Sequence, residues 1–477
     1  MSDWSDEDAR MVTQRIERMV GQVRQWRASK NADPLTVGPT LGEADIQKLR
    51  GVIDECVSDR GGEIAARRRA TAIAGTFLEL NATGRRNFFR LLADHYDHDD
   101  GEVDRAIERV RDAPGADERR VAERELAISL RPKRERLLRR FVGLDGGLQF
   151  LVDLREEMLP YRKLDSALTA LDEDMRSLLD AWVDIALLEL RRITWDTSAA
   201  LLEKLIEYEA VHAIESWDDM RGRLGPLRRC YAYLHPMMPG EPLIFVEVAL
   251  TEGIAGCLAD LLDHDAERRS DTARIDTAIF YSISNCQTGL RGVSLGNFLI
   301  KRVVEELTAE LPHLKTFATL SPIPGFRQWV LDGTGDENTT SAVTLSPSEK
   351  ALISPQKPAD AEAQLFALAS RPGPPDDDEL DRWEPILMRL AAIYLVDTRR
   401  GDRAFDPVAH FHLSNGARVE QLNWRANPGQ TGWERGLSIM VNYRYTLDKI
   451  EANHDQYVSD AIVARSDEVD KLRGDAT

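Results

Sequence analysis

The chain has 477 residues and a formal net charge of -19, too long for one hydrophobic core, so two or three domains are expected. Hydrophobic residues at 43% and charged residues at 30% describe a globular protein, and the acidic balance excludes nucleic acid as a partner of the whole molecule, because phosphate binding needs clustered Lys and Arg. No apolar run approaches the length that spans a bilayer, the start of the chain is acidic, and Cys56, Cys230, Cys257 and Cys286 are dispersed without a C-x-x-C pair, so the expectation is a cytoplasmic protein with neither a zinc site nor a disulfide framework.

Up to about residue 190 the pattern is helix after helix. Met11–Lys30, Glu43–Asp59, Gly62–Leu80, Arg85–Tyr96, Asp104–Asp112, Asp117–Leu130, Lys133–Val142 and Leu164–Arg191 carry apolar residues near a 3.6 period among Arg and Glu. Asn81–Gly84 and Gly143–Gly147 read as breaks. A helical bundle over 1–190, used for packing or oligomerisation, is predicted. His95 and His98 stand among Asp94, Asp97, Asp99 and Asp100, which reads as a solvated acidic loop rather than a metal site.

The character changes after residue 190. Pro242–Leu250, Thr277–Ser284 and Lys315–Leu320 read as strands, and Asn297–Glu310 as an amphipathic helix between the last two, which implies a parallel crossover. Residues 332–376 are rich in Gly, Thr, Ser, Pro and Asp and read as an irregular insertion. A helix over Trp383–Leu395 and late strands over Pro407–Leu413 and Ser438–Tyr445 complete an α+β domain spanning 191–477.

The loop before the amphipathic helix runs through Arg291, Gly292, Val293, Ser294, Leu295, Gly296 and Asn297. Its glycines let backbone N–H groups turn toward an anion, the helix N-terminus adds partial positive charge, and Arg291, Lys301 and Arg302 add formal charge. It is neither a P-loop, lacking Lys-Ser or Lys-Thr, nor a dinucleotide fingerprint. Arg291-Gly-x-x-x-Gly296 resembles the coenzyme A pyrophosphate loop of the GNAT acetyltransferases, with Ser294 where that family has a second glycine. By itself the loop reads equally as a coenzyme site or as a tight turn.

Six motifs in order then carry a broader resemblance: Gly225–Tyr231, Pro239–Leu243, Phe280–Ser284, Leu320–Phe326, Phe411–Gly416 and Val441–Tyr445. Together they resemble malonyl-CoA decarboxylase, from about Arg192 to about Ile462. The resemblance implies a helical N-terminal domain used in assembly (a homotetramer), a GNAT-like catalytic domain, and conversion of malonyl-CoA to acetyl-CoA and carbon dioxide. It implies Ser321 and His412 as catalytic residues and the stretch from Arg291 to Asn297 as the coenzyme A site. Ser294 stands where animal members carry an acidic residue, so no role for that carboxylate carries over.

The chemistry is consistent with those residues. Loss of carbon dioxide leaves an electron pair that the thioester carbonyl accepts as an enolate, so neither metal nor biotin is required, and coenzyme A enters as part of the substrate. The protein must stabilise an oxyanion and deliver a proton to carbon. Ser321 precedes Pro322 and is held extended at a strand end; taken alone, its hydroxyl would suit an ordinary ST-turn. On the predicted strand, His410, His412 and Ser414 share one face, which leaves open a structural histidine or a His-x-His metal pair besides the catalytic role. Tyr445 could bind the malonyl carboxylate or orient His412, or be a core aromatic. Ser282, on the strand entering the coenzyme loop, could lie near the thioester or be an ordinary strand hydroxyl. A GNAT-type acyltransferase with an amine acceptor and a non-catalytic helical assembly protein are the competing functions.

Overall fold

A computed structural model of the chain describes residues 35–58, 60–209, 211–263, 274–293, 299–333 and 343–474. The predicted helix Met11–Lys30 lies outside them. Helices Glu43–Val57, Gly62–Glu79, Ala82–His95, Asp100–Asp112, Ala116–Ser129 and Lys133–Val142 form where the 3.6 periodicity places them. Two begin earlier than predicted because a side chain caps them: Asn81 Oδ1 accepts the Gly84 N–H at 3.0 Å, and Asp99 Oδ1 accepts the Glu102 N–H at 3.1 Å. Asn81 is thus a helix start rather than a break. Asp97 pairs at 3.0 Å with Arg134, a buried guanidinium that also meets Asp174 at 2.6 Å.

Gly147–Arg162 is a helix that the periodicity did not predict. Gly147 through Arg155 is buried throughout, so no polar stripe marks it. The predicted helix Leu164–Arg191 shortens to Leu168–Trp182. Asp184 Oδ1 then takes the Ala186 N–H at 2.8 Å, turning the chain toward a strand. Phe77, Phe88, Phe89, Phe141 and Phe150 form the aromatic centre of the bundle, with ring centroids 5.1–6.4 Å apart, mostly edge-on.

The chain divides into two compact units. The first runs to Glu189 and takes in Leu234–Glu241 and Gln287–Leu295; the second holds Leu190–Tyr233, Pro242–Cys286 and the chain from Gly296 onward. The second is built on a mixed sheet of strands β1 (Glu189–Ile193), β2 (Arg228–Leu234), β3 (Pro242–Thr251), β4 (Thr277–Asn285), β5 (Thr316–Thr319) and β6 (Ser321–Pro322). The two-residue strands β7 (Arg399–Arg400) and β8 (Arg403–Ala404) pair with each other, and β9 (Arg418–Asn423) and β10 (Met440–Tyr445) return to the main sheet. The order is β1-β2-β3-β4-β5-β10-β6, with β9 on β10. β4 and β5 are parallel, as the strand–loop–helix–strand pattern requires, and helix Leu299–Glu310 connects them.

Short strands β1, β2 and β9 were not predicted. Within the segment read as an irregular insertion, Pro347–Ile353 and Ala361–Ala369 are helical. The first carries a capping box, Ser346 with Glu349, on a Ser-x-x-Glu spacing visible in the sequence. The larger correction concerns Pro407–Ser414, predicted as a strand and found as a helix. Asp406 accepts the N–H groups of Val408 at 2.9 Å and Ala409 at 2.8 Å, and Pro407 occupies the first helical position, where its missing N–H has no consequence. No described helix is long and apolar enough to cross a membrane.

Candidate active site

The parallel pairing of β4 with β5 ends at Phe280 opposite Thr319, after which only the Leu320 N–H still reaches the Phe280 carbonyl, at 3.0 Å. β4 continues along β3 to Asn285, whereas the other strand stays along β10, with Phe317 opposite Tyr445 in β5 and Ser321 opposite Val441 in β6. The sheet therefore opens between them. Ser282 and Ser321, each two residues past the last pair, border the opening from opposite sides. A bulge sharpens it: Glu247 faces Ser282 and Val248 faces Phe280, leaving Tyr281 as the extra residue of β4.

His412 comes from the helix Pro407–Ser414 to the Ser321 side. Its Nε2 lies 3.2 Å from Ser321 Oγ, and its Nδ1 lies 2.7 Å from the Tyr445 hydroxyl on β10. Helical rather than strand geometry sends His410 elsewhere. Residues two apart on a helix point about 200° apart, and His410 Nδ1 meets the Tyr457 hydroxyl at 2.8 Å. The His-x-His metal pair is thereby withdrawn. The Tyr443 ring stacks on His412 with centroids 4.5 Å apart, which fixes the plane of the imidazole.

All three catalytic candidates are buried, and burial sets their protonation. It pushes His412 down to about 3, so the imidazole is neutral. It pushes the Tyr445 phenol well above its usual range, so the phenol keeps its proton. A protonated buried phenol whose partner is Nδ1 donates to it, which leaves the single imidazole proton on Nε2, directed at Ser321. The Ser321 hydroxyl donates in turn to Thr319 Oγ1 at 2.9 Å, which also accepts the Tyr443 N–H at 3.1 Å. Donation runs one way, from Tyr445 through His412 to Ser321.

One buried carboxylate joins the two halves of this dyad. Asp406, besides capping the His412 helix, accepts the N–H of Gly325 in the turn that follows Ser321, and the Tyr394 hydroxyl lies 3.4 Å from its Oδ2. Burial raises it to about 6 against the pull of those donors. Gly325 is required by close approach: a Cβ there would sit 2.3 Å from the Tyr394 hydroxyl oxygen.

Ser282 is not drawn into the Ser321 hydrogen-bond chain. Its hydroxyl meets both carboxylate oxygens of Glu209, at 2.8 and 2.7 Å. Of the predicted coenzyme loop, Arg291, Gly292 and Val293 are described and cluster with the first unit; Ser294, Leu295, Gly296 and Asn297 lie outside the described residues. Gly292 adopts the left-handed φ of 77° that a side chain would resist. The preceding turn is rooted in the helical unit: Arg155 Nη1 donates to the Gly289 carbonyl at 2.6 Å, Gln149 Nε2 to Gln287 Oε1 at 3.1 Å, and a Cβ on Gly289 would fall 2.0 Å from the Val152 carbonyl oxygen. Sequence reasoning missed Thr319, Asp406, Tyr443 and Glu209. Asp406-Pro407 carried a capping signal; the others act across long separations and leave no local mark.

Comparison with known proteins adds the following. Residues 186–477 match the family model of the malonyl-CoA decarboxylase C-terminal domain, and residues 96–183 that of the N-terminal domain. The mitochondrial malonyl-CoA decarboxylase of Anser anser anser is 33% identical over 472 residues, 96% of this chain and 94% of that protein. The Rattus norvegicus enzyme of the same name is 37% identical over 371 residues, 73% of this chain and 72% of that one. Crystal structures of malonyl-CoA decarboxylase from Agrobacterium vitis and Rhodopseudomonas palustris superpose with TM-scores of 0.79 and 0.78 at 39% and 38% identity. They cover 90% and 89% of this chain, which spans 100% and 99% of theirs.

Proposed function

This chain belongs to the malonyl-CoA decarboxylase family, and we propose that it converts malonyl-CoA to acetyl-CoA and carbon dioxide with Ser321, His412 and Tyr445 as its catalytic group. The observation that carries the reading is the contact chain itself, with His412 Nδ1 2.7 Å from the Tyr445 hydroxyl and Nε2 3.2 Å from Ser321 Oγ, all three side chains buried. With Nδ1 occupied by the Tyr445 proton, the imidazole cannot accept a proton from Ser321, so Ser321 is not activated as a nucleophile. The chain is arranged to give a proton.

Carbon–carbon cleavage leaves its electron pair on the α-carbon, delocalised onto the thioester oxygen. The donors at Ser321 and His412 stabilise that oxygen. One proton then passes to the α-carbon from the Ser321 hydroxyl, turned from Thr319 and resupplied by His412 Nε2–H as Nδ1 takes the Tyr445 proton, which solvent restores after the product leaves. Malonyl-CoA plus one proton thus gives acetyl-CoA and carbon dioxide. The thioester serves as its own electron sink, so this route calls for neither metal nor biotin.

Ser282, Arg291, Gly292, Val293, Ser294, Leu295, Gly296 and Asn297 are assigned to the coenzyme A thioester, on the likeness of the loop to acetyltransferase pyrophosphate loops and the left-handed Gly292. A cytoplasmic homotetramer is inferred as the working form. Its support is that the four cysteines form no disulfide with one another, and that apolar side chains are exposed on the helical unit, Ile64 at 88% and Leu164 at 75%. Purified protein given malonyl-CoA without an acceptor is expected to release acetyl-CoA and carbon dioxide one for one; no turnover until an amine is added would establish an acyltransferase instead. Ser321→Ala and His412→Ala should each cut turnover by at least about a hundredfold with the fold retained. Arg291→Ala should chiefly raise KM.

A further inference from the structure

We propose that Thr319 is a positioning residue that holds the His412 proton on Nε2: it accepts the one proton of the Ser321 hydroxyl, so that the imidazole can meet Ser321 only as a donor. The proposal rests on the decarboxylase reading and gives a role to a residue that lies behind the catalytic serine.

The pairing of β10 with the strand that carries Ser321 lapses just before that serine. Arg444 lies opposite Ala318 and Val441 opposite Ser321, the same register on both sides, yet the ladder skips Thr319 and Leu320. Other groups fill the gap. The Leu320 N–H reaches the Phe280 carbonyl on β4 at 3.0 Å. The Thr319 carbonyl takes the side-chain amide of Asn442, and Thr319 Oγ1 takes the Tyr443 N–H at 3.1 Å. Asn442 is itself fixed, because its Oδ1 accepts from Asn423 Nδ2 at 2.6 Å and its Nδ2 also reaches the Ala255 carbonyl at 3.0 Å. Thr319 and Asn442 are both fully buried. Thr319 is thus gripped through its carbonyl and its hydroxyl, on a β-branched side chain that has little χ1 freedom.

Residues two apart on a strand share a face, which sets the Thr319 and Ser321 side chains next to each other. Ser321 Oγ donates to Thr319 Oγ1 at 2.9 Å and lies 3.2 Å from His412 Nε2. A serine hydroxyl has one proton and two acceptor sites. With that proton on Thr319, Ser321 has none for the ring, and the second contact is a hydrogen bond only if Nε2–H donates. The tautomer deduced from the Tyr445 end of the chain is therefore required independently from the other end. A chain of donors needs a last acceptor, and Thr319 Oγ1 is that acceptor. Without it the buried Ser321 proton has, among the described residues, only Nε2 as a partner. That exchange draws the imidazole proton to Nδ1, makes Ser321 a donor toward the ring, and leaves His412 with no proton on the serine side.

The test uses the full-length enzyme with Thr319→Val, which keeps the shape and removes the hydroxyl, and Thr319→Ser, which keeps the hydroxyl and removes the methyl group. Turnover of malonyl-CoA, equilibrium binding of free coenzyme A and the ring-nitrogen NMR signals of isotope-labelled histidines are measured. His412 is identified by the signals missing from His412→Gln. The wild type is expected to show the Nε2–H tautomer. Thr319→Val should lower kcat at least about tenfold, with KM and coenzyme A affinity within about twofold, and should move His412 toward Nδ1–H. Thr319→Ser should keep the wild-type tautomer and lie within about threefold of the wild-type kcat. A wild-type ring protonated on Nδ1 overturns the proposal without any variant. So does a folded Thr319→Val enzyme whose His412 stays wholly on Nε2–H, or whose kcat is that of the wild type. A Thr319→Ser enzyme as slow as Thr319→Val also overturns it, since a packing role of the methyl group makes serine the more harmful change. If Thr319→Val does not fold by circular dichroism, Thr319→Ala, one oxygen short of Thr319→Ser, must show the same fall and the same tautomer shift. A wild-type chain that binds coenzyme A yet releases no carbon dioxide from malonyl-CoA removes the functional reading, while the tautomer of His412 still decides the placement of its proton.

Discussion

Lowering the pH from 7 to 5 should destabilise the wild-type protein more than a His412→Gln variant, and the difference follows from burial of the imidazole. In the unfolded chain this histidine titrates near its ordinary value of 6.5, whereas in the fold burial holds it down to about 3. Between those values the unfolded state binds the extra proton and the native state does not, so stability rises with pH there. The contribution is complete above the unfolded value and is lost progressively as pH falls from 6.5 toward 3. For a group displaced this far, the loss between pH 7 and pH 5 is about 2 kcal/mol. Other groups that titrate in the same window, among them Asp406 near 6 and His212 near 4, are present in both proteins and cancel in the comparison. The remaining groups against the ring, Tyr443, Tyr445 and Ser321, are uncharged throughout. Urea unfolding at both pH values measures the effect: the variant loses packing and starts lower, but its curve should fall about 2 kcal/mol less over the interval. Parallel pH dependence in the two proteins, or an NMR titration placing His412 near 6.5 in the native state, would refute the reasoning.

Three further substitutions test the surroundings of the imidazole. Tyr445→Phe leaves Nδ1 without its donor inside a dry site, a loss of about 1–3 kcal/mol that corresponds to roughly 5- to 150-fold in kcat, with KM held; steady-state kinetics reads it directly. Asp406→Ala removes the cap of the His412 helix, for about 1–2 kcal/mol of stability, and the tie to Gly325, so melting temperature and kcat should both fall, whereas Asp406→Asn keeps the cap oxygen and should recover most of the melting temperature. Gly325→Ala drives a methyl group into the Tyr394 hydroxyl and should destabilise by about 1–3 kcal/mol; adding Tyr394→Phe should return part of that loss, and strictly additive effects in denaturant titrations would contradict the packing account.

The parts of the molecule legible from sequence were those whose physics is local. Amphipathic helices of the first unit announced themselves by period, and β4, the crossover helix and β5 by alternation followed by a glycine-bearing loop. Gly147–Arg162 escaped because its first half, Gly147–Arg155, is buried all round and has no stripe. Pro407–Ser414 was misread because eight residues are too few to separate a period of 2 from one of 3.6, although Asp-Pro at its head was the decisive clue. Ser321 and His412 were identified through the family resemblance and Tyr445 as a candidate to orient His412 or bind the carboxylate, and their hydrogen-bonded geometry depends on contacts across 91 and 33 residues of chain. Glu209 meets Ser282 across 73 residues, with no motif joining them, and only the folded backbone reveals the pair.

The rooting of the Gln287–Gly289 turn on the helix Gly147–Arg162 has a consequence for synthesis. Arg155 waits for a carbonyl 134 residues downstream, and Gln149 for an amide 138 residues downstream. A ribosome releasing the helices first would release a bundle in which Arg155 has Asp172 and Gln149 has Asp153, but the Nη1 donor of Arg155 and the second acceptor for Gln149 Nε2 are still to come. The helical unit should therefore mature only after β4 has emerged, and a fragment ending near residue 190 should be a poorer folder than its many helices suggest.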